Sequence, residues 1–538
     1  MADPITRAPA AATLTGSSPS APAPSGSAAR IPTSGYRPRR QEPDFPEVRG
    51  LNSWLLLALV LAIAWFVRAR DFSFATAYMD ESLYIDYGRM FLSHDYQWPL
   101  DHPLRWTWGW YLWPAMSALA DRFGGLVGVR ALSAALGVVT VGAVFGLGRR
   151  LFSPTVGLAS ALVVALLAPA VFSARIATRD SASVPFFALG LWAFAAAWEN
   201  NKARYWLAAA AGMLAAFLCK YVVAIYFPVL VLMSLKKGRK PLFLFSAILT
   251  VACSAYLLFY WNDLMGLLEY GRQYHQLAIK QWPLLWENYV SRRIDLWFLF
   301  ALALVTLPFL GKDKLKSGLL LLGAVLFFAF QWRTRADRDF WKHAMYPLLF
   351  LVPAAMAGVI ALLRRVGRPV YVPAAFIVVP LLAVALGWSG KAWSMEDSQD
   401  WAQRAVWPDA DPILIFLHGK LSPESRVLAD DNVFRYYLQP PLHQSHIADP
   451  FFFKYGGQTG DPAYVAAVRD GYFDYIVFDT GVGEEAEHLA RLIRPLLAPR
   501  YESRMRVFDA VLGHPLEIFA RVLPPPVPGT PPAPVRPP

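Results

Sequence analysis

The chain has 538 residues, 56% of them hydrophobic and only 17% charged, a balance far from that of a soluble globular domain. Its formal charge of +12 comes from Lys and Arg gathered in short loops between apolar runs, with no basic face or recognition motif beside them. Nucleic acid is therefore not expected as a partner, and the charge reads as membrane topology. The two cysteines, Cys219 and Cys253, lie in or next to apolar stretches, which predicts packed, reduced thiols rather than a disulfide.

Residues 1–48 are rich in Ala, Pro, Ser and Gly, too poor in large apolar side chains to offset the entropy of ordering, so they read as a disordered cytoplasmic leader. Arg37, Arg39, Arg40 and Arg49 precede the first apolar run, 51–67, and hold the N-terminus inside. Ala75-Thr76-Ala77 looks like a signal cleavage site, but it follows Arg68, Arg70 and Asp71 and a long leader, so the span reads as retained.

Ten further apolar runs follow, near 128–148, 155–172, 183–198, 205–219, 221–235, 241–260, 295–310, 317–331, 345–363 and 370–388. With the first they predict a polytopic α-helical membrane protein of about eleven transmembrane helices, a module covering 49–389. Threaded alternately, they bring the basic loops at 149–150, 202–204, 236–240, 312–316 and 364–368 to the cytoplasmic side. The opposite side receives the outer loop 68–127, the turn from Arg175 to Asp180, Lys220, and residues 261–294 and 332–344. Residues 390–522 are charged and turn-rich, with strand-like runs at 426–429 and 475–478 and helical patterning at 461–471 and 484–497. They predict a soluble, extracytoplasmic α/β domain, before a Pro-rich tail, 523–538.

The outer loop carries the most informative pair, Asp80-Glu81, between a hydrophobic anchor and an aromatic, amphipathic stretch. Leu83, Tyr87, Met90 and Phe91 recur at helical spacing, which predicts an interfacial helix over 81–93 with Asp80 at its start. Asp80 then serves either as an N-cap or as the base that takes a proton from an attacking hydroxyl. Arg175, Arg179 and Asp180 sit where a simple connection between spans needs no charge. With Arg335, Arg338, Lys342 and His343 they offer groups to hold a lipid phosphate, or they are snorkelling anchors of helix ends. Trp98, Trp106, Trp108, Trp110 and Trp113 predict an interfacial belt rather than a sugar-stacking platform. His94, His102, His275, His343, His443 and His446 lack paired metal-ligand spacing, so no metal site or required cofactor is expected, although the acidic pair leaves room for a divalent cation. Asp430-Asp431-Asn432 and Asp479-Thr480-Gly481 follow strand-like runs and read either as a ligand-binding edge or, more commonly for such residues, as ordinary turns.

The order of these motifs resembles the C-type (GT-C) glycosyltransferases. It comprises Asp80-Glu81 with Tyr84 three residues on, an amphipathic outer helix, His102-Pro103-Leu104, and Gly128-Val129-Arg130-Ala131-Leu132-Ser133 opening the second span. Together with the stretch from Asp339 to Pro347 leading to Pro353, it is similar to the branch of protein O-mannosyltransferases and lipid A aminoarabinose transferases, over residues 50–365. Where that branch often shows Lys-Pro-Pro, this chain has Asp101-His102-Pro103. The resemblance implies inverting transfer from a polyprenyl-phosphate-linked sugar donor, on the outer face of the cytoplasmic membrane, to a lipid, glycan or protein acceptor. It implies Asp80 as the catalytic acidic residue with Glu81 as companion and Asp180 as a second acidic position. Arg175, Arg179, Lys220, Lys342 and His343 are implied as contacts to donor phosphate or substrate. A transporter or flippase of lipid-linked glycans and a non-catalytic scaffold are the rival readings. The gathering of ionisable residues at the outer surface and the lack of a twofold repeat favour the enzyme.

Overall fold

The computed structural model describes residues 51–94, 107–277, 293–334, 340–365, 368–389, 410–429, 431–451, 453–479, 484–508 and 515–522. The expected leader and tail, Trp98, Trp106, the Asp101-His102-Pro103 departure, Arg335 and Arg338 lie outside them.

Among the described residues six helices are long and apolar enough to cross a membrane, or seven if one bent pair counts as a single span. The count of about eleven read from the sequence is not reached by this measure. One reason is length: Ala203–Cys219, Tyr221–Leu235 and Ile377–Trp388 are apolar but short. Another is fusion, since the expected spans 295–310 and 317–331 fall in the single stretch Ile294–Arg333, broken at Gly311, whose φ of 55° only glycine adopts easily.

Seven helices make up the first part of the bundle. They are α1 (Leu51–Ala69), α2 (Met79–Ser93), α3 (Leu112–Leu151), α4 (Pro154–Leu166), α5 (Ala168–Arg175), α6 (Arg179–Asn200) and α7 (Ala203–Cys219). An eighth, α8 (Met345–Arg365), is buried along most of its length. The continuous apolar core runs through α1, α3, α4, α6, α7 and α8. Helix α3 is kinked at Gly124 and Gly125, so its first turns lie against α2 while the remainder spans. Between α4 and α5 the chain bends by 59°. The carbonyls of Val164 and Ala165 freed there accept hydrogen bonds from the buried Arg68 guanidinium at 3.0 and 2.8 Å, as backbone acceptors in an apolar bundle require.

Helix α2 starts at Met79 with Tyr78 as its N-cap residue, two residues ahead of the predicted start, so Asp80 lies inside the first turn and is not the cap. The Tyr78 N–H, which the cap leaves unpaired, donates to Glu81 Oε2 at 2.9 Å. At Gly88 an added Cβ would stand 1.9 Å from the Pro114 carbonyl oxygen. Only the absent side chain lets α2 pack this close to α3.

Residues 410–522 contain a five-stranded sheet in the order β2-β1-β5-β7-β6. Its strands are β1 (Val427–Ala429), β2 (Ile447–Ala448), β5 (Tyr475–Asp479), β6 (Tyr501–Phe508) and β7 (Pro515–Arg521), and β3 (Lys454–Tyr455) and β4 (Gln458–Thr459) form a separate hairpin. β1 runs parallel to β2 and β5, whereas β7 is antiparallel to both β5 and β6. Two apolar cores cover the faces. The crossover from β1 to β2 contains the short helix α9 (Asn432–Tyr437), which lies against α2.

Candidate active site

Glu81 is fully buried and both its oxygens are taken. Arg130 reaches them in a bidentate pair, Nε to Oε1 at 3.1 Å and Nη2 to Oε2 at 2.7 Å, and the Ala177 N–H donates to Oε1 at 2.8 Å. The same guanidinium donates to the carbonyls of Phe72, Ala75 and Thr76 at 2.8, 2.9 and 3.0 Å. One arginine of α3 thus fixes the segment leading into Asp80, the start of α2 and, through Glu81, the α5–α6 turn. A carboxylate so saturated has no lone pair left for an acceptor hydroxyl. Its geometry is that of a positioning residue, which departs from the expected catalytic pair.

Asp80 is paired with Lys342, from the segment just before α8, and keeps a little exposure at 7%. The Lys342 ammonium lies 5.7 Å from the centre of the Tyr78 ring. Asp180, in the first turn of α6, accepts from Lys220 Nζ at 2.7 Å and from Tyr346 Oη at 3.0 Å. Lys342 and Tyr346 sit four residues apart, so a single segment reaches both acidic residues. Asp180 is part of a spanning helix rather than of a connecting turn, as the sequence suggested.

Arg179 stacks its guanidinium over Tyr84 at 4.4 Å and Trp110 at 4.3 Å. Burial pushes the Tyr84 phenol above its ordinary range, Arg179 and Lys342 pull it down, and Asp80 pushes it further up. These charges therefore surround one ring of α2. Arg179 Nη1 and Trp110 Nε1 are buried donors with no acceptor among the described residues.

The remaining predicted contacts lie elsewhere. Arg175 donates to the carbonyls of Arg70 and Asp71 at 2.7 and 3.3 Å and lies over Phe74, so it anchors the exit of α1 rather than facing Asp80. His343 is buried, with Nδ1 2.6 Å from Gln331 Nε2 and its ring near Phe327 and Tyr346. Trp113 is also buried and donates to the Ala177 carbonyl at 3.2 Å. With Trp110 buried as well, the expected belt is in these two positions an internal prop. Among the described residues no three His, Cys, Asp or Glu side chains converge to hold a metal ion. Cys219 and Cys253 are free and buried.

Three contributors were not singled out from the sequence. Arg130 lies in the quoted Gly128–Ser133 motif, where an arginine one turn inside an apolar run was itself a signal. Tyr346 likewise lies in the quoted stretch from Asp339 to Pro347, and Tyr437 gave no signal.

The sequence model of the dolichyl-phosphate-mannose-protein mannosyltransferase family matches residues 100–261. No curated protein matches by sequence. The structure is similar to the crystal structure of ArnT from Cupriavidus metallidurans in the apo state, with TM-score 0.54 and 14% identity over 87% of this chain and 97% of that one. The same protein bound to undecaprenyl phosphate gives TM-score 0.50 and 14% identity over 87% and 98%. Arabinofuranosyltransferase AftD from Mycobacteria gives TM-score 0.51 and 15% identity over 87% of this chain and 41% of that one. At these identities the likeness is one of fold, and the chain is a multi-pass helical membrane protein that shares its architecture with ArnT and AftD.

Proposed function

We propose that the protein is a membrane glycosyltransferase that moves a sugar from a polyprenyl-phosphate donor to a hydroxyl of an extracytoplasmic protein, glycolipid or glycan, with inversion at the anomeric carbon. The observation that carries this reading is the Asp80–Lys342 pair, a carboxylate held by a lysine from a separate segment at one end of an apolar bundle. The match to the mannosyltransferase family and the fold shared with an ArnT that binds undecaprenyl phosphate support a lipid-borne donor. The loop charges favour a cytoplasmic N-terminus, an outward-facing site and residence in the cytoplasmic membrane.

The chemistry follows from the pairing. The ammonium beside Asp80 holds and orients its carboxylate. An arriving phosphate competes for Lys342, which swings from carboxylate to phosphate and leaves Asp80 free to accept the proton of the acceptor hydroxyl. The acceptor oxygen attacks the anomeric carbon as the bond to phosphate breaks, and Lys342 meets the charge developing on the leaving group. Arg179, whose Nη1 meets no acceptor among the described residues, is the second cation for that phosphate. Asp180, held by Lys220 and Tyr346, orients the sugar. Glu81 and Arg130 hold the loop in place. No cofactor is needed in this scheme, because these cations supply the charge a divalent ion would bring. Chelator should accordingly leave the rate unchanged.

The test is transfer of label from a panel of radiolabelled polyprenyl-phosphate sugars to membrane acceptors by purified protein and by Asp80→Asn. Transfer that is lost in the folded variant supports the reading. Equal transfer by the variant removes Asp80 from the mechanism, and no transfer by the parent from any donor shifts the assignment to transport or scaffolding.

A further inference from the structure

The loop that carries Asp80 is gripped from two sides. Arg130 holds the carbonyls of residues 72, 75 and 76 from within the membrane module. From the other side comes the C-terminal domain: the buried Ala77 N–H, three residues before Asp80, donates to Tyr437 Oη at 2.8 Å. The Ala410 N–H also reaches Thr76 Oγ1 at 3.4 Å. The neighbouring Tyr436 donates to Asp121 Oδ1 at 2.9 Å. Asp121 in turn receives Arg89 of α2 through Nε at 3.0 Å and Nη2 at 2.7 Å, with the Arg89 guanidinium 4.8 Å from the Tyr436 ring centre. Two consecutive tyrosines of one short helix thus secure both ends of α2.

The platform presenting them is itself fixed. Asp431 caps α9 by accepting from the Val433 N–H at 2.8 Å. Arg435 ties α9 to the sheet through the Ile447 carbonyl at 3.0 Å and Asp449 at 2.8 Å. Both tyrosine rings also pack into the apolar cluster of Ala77, Tyr84, Ile85, Trp113 and Ala177 beneath the site. A buried backbone N–H must find an acceptor, and in this protein the acceptor for the residue entering the catalytic turn is supplied from more than three hundred residues away.

We propose that Tyr437, supported by Tyr436, is a positioning residue through which the C-terminal domain sets the geometry of Asp80, an inference that rests on the reading of Asp80 given above. The site is complete only with the domain docked. Tyr437→Phe keeps the ring and removes only the acceptor, so the domain should stay folded while the loop loosens.

The test uses the full chain in lipid nanodiscs. By hydrogen exchange, peptides spanning residues 72–80 should exchange about tenfold faster in Tyr437→Phe, with the strand at 475–479 unchanged. Transfer from a radiolabelled polyprenyl-phosphate sugar should show kcat lowered about tenfold at unchanged donor KM, since misplacing a catalytic group costs rate rather than binding. Faster exchange throughout the domain, or kcat equal to the parent's, overturns the proposal. Should Tyr437→Phe fail to insert, Tyr436→Phe reads the second latch, with the same expectation for peptides of α2. A parent that transfers nothing sinks the reading of Asp80, whereas exchange in 72–80 still decides whether the domain holds the loop.

Discussion

Asp80 and Glu81 are adjacent in the chain and opposite in circumstance. Glu81 is sealed, with two bonds from Arg130 and two from backbone N–H groups. Asp80, one position earlier, faces a lysine on a different segment and keeps an edge of exposure. The difference teaches that an acidic dipeptide can divide its labour. The carboxylate sealed by Arg130 fixes the turn, and its neighbour pairs with a lysine brought from another segment.

The largest expected effect separates the two. Asp80→Asn should lower transfer by at least about 10²-fold with little change in thermal unfolding, whereas Arg130→Ala strands a buried carboxylate and should cost about 3–5 kcal/mol of stability. Fluorescence-detected unfolding in detergent checks this, and equal destabilisation by both changes would break the comparison. Next, Lys342→Ala should lower kcat/KM for the lipid donor by roughly ten- to a hundredfold, since it removes a charge-assisted contact in the site. Donor kinetics like the parent's would reduce Lys342 to an anchor.

A smaller effect concerns Asp86, on the same helix but turned toward the C-terminal domain. Burial pushes its carboxyl up to about 7, outweighing Arg89 and Arg435 and assisted by Asp121 and Asp449. With the folded value raised, the native state holds a proton that the unfolded chain has released. Stability should therefore fall as pH rises from the ordinary carboxylate range through about 7. Asp86→Asn should flatten that fall, seen as a smaller drop in unfolding temperature between pH 5 and pH 8. The slightest change is Tyr346→Phe, which removes one bond to Asp180 and should cost about 1 kcal/mol while Lys220 continues to hold the carboxylate.

The sequence made the membrane class legible because long apolar runs have no soluble explanation. It also picked out Asp80, since a carboxylate between an anchor and an aromatic helix is conspicuous. It ran a single span through 155–172, where the chain bends between α4 and α5, because a bend leaves composition unchanged.

By itself, then, the sequence determined a multi-pass helical protein and the acidic and basic residues from which the candidate site is drawn. Only the tertiary structure decided their pairing: Asp80 with Lys342, Asp180 with Lys220 and Tyr346, Glu81 with Arg130, and Ala77 with Tyr437. The physical reason is that periodicity reports which face of an element is apolar. Partners 40 to 360 residues apart are brought together by how helices pack, by glycines such as Gly88 that let them approach, and by a domain docked on top.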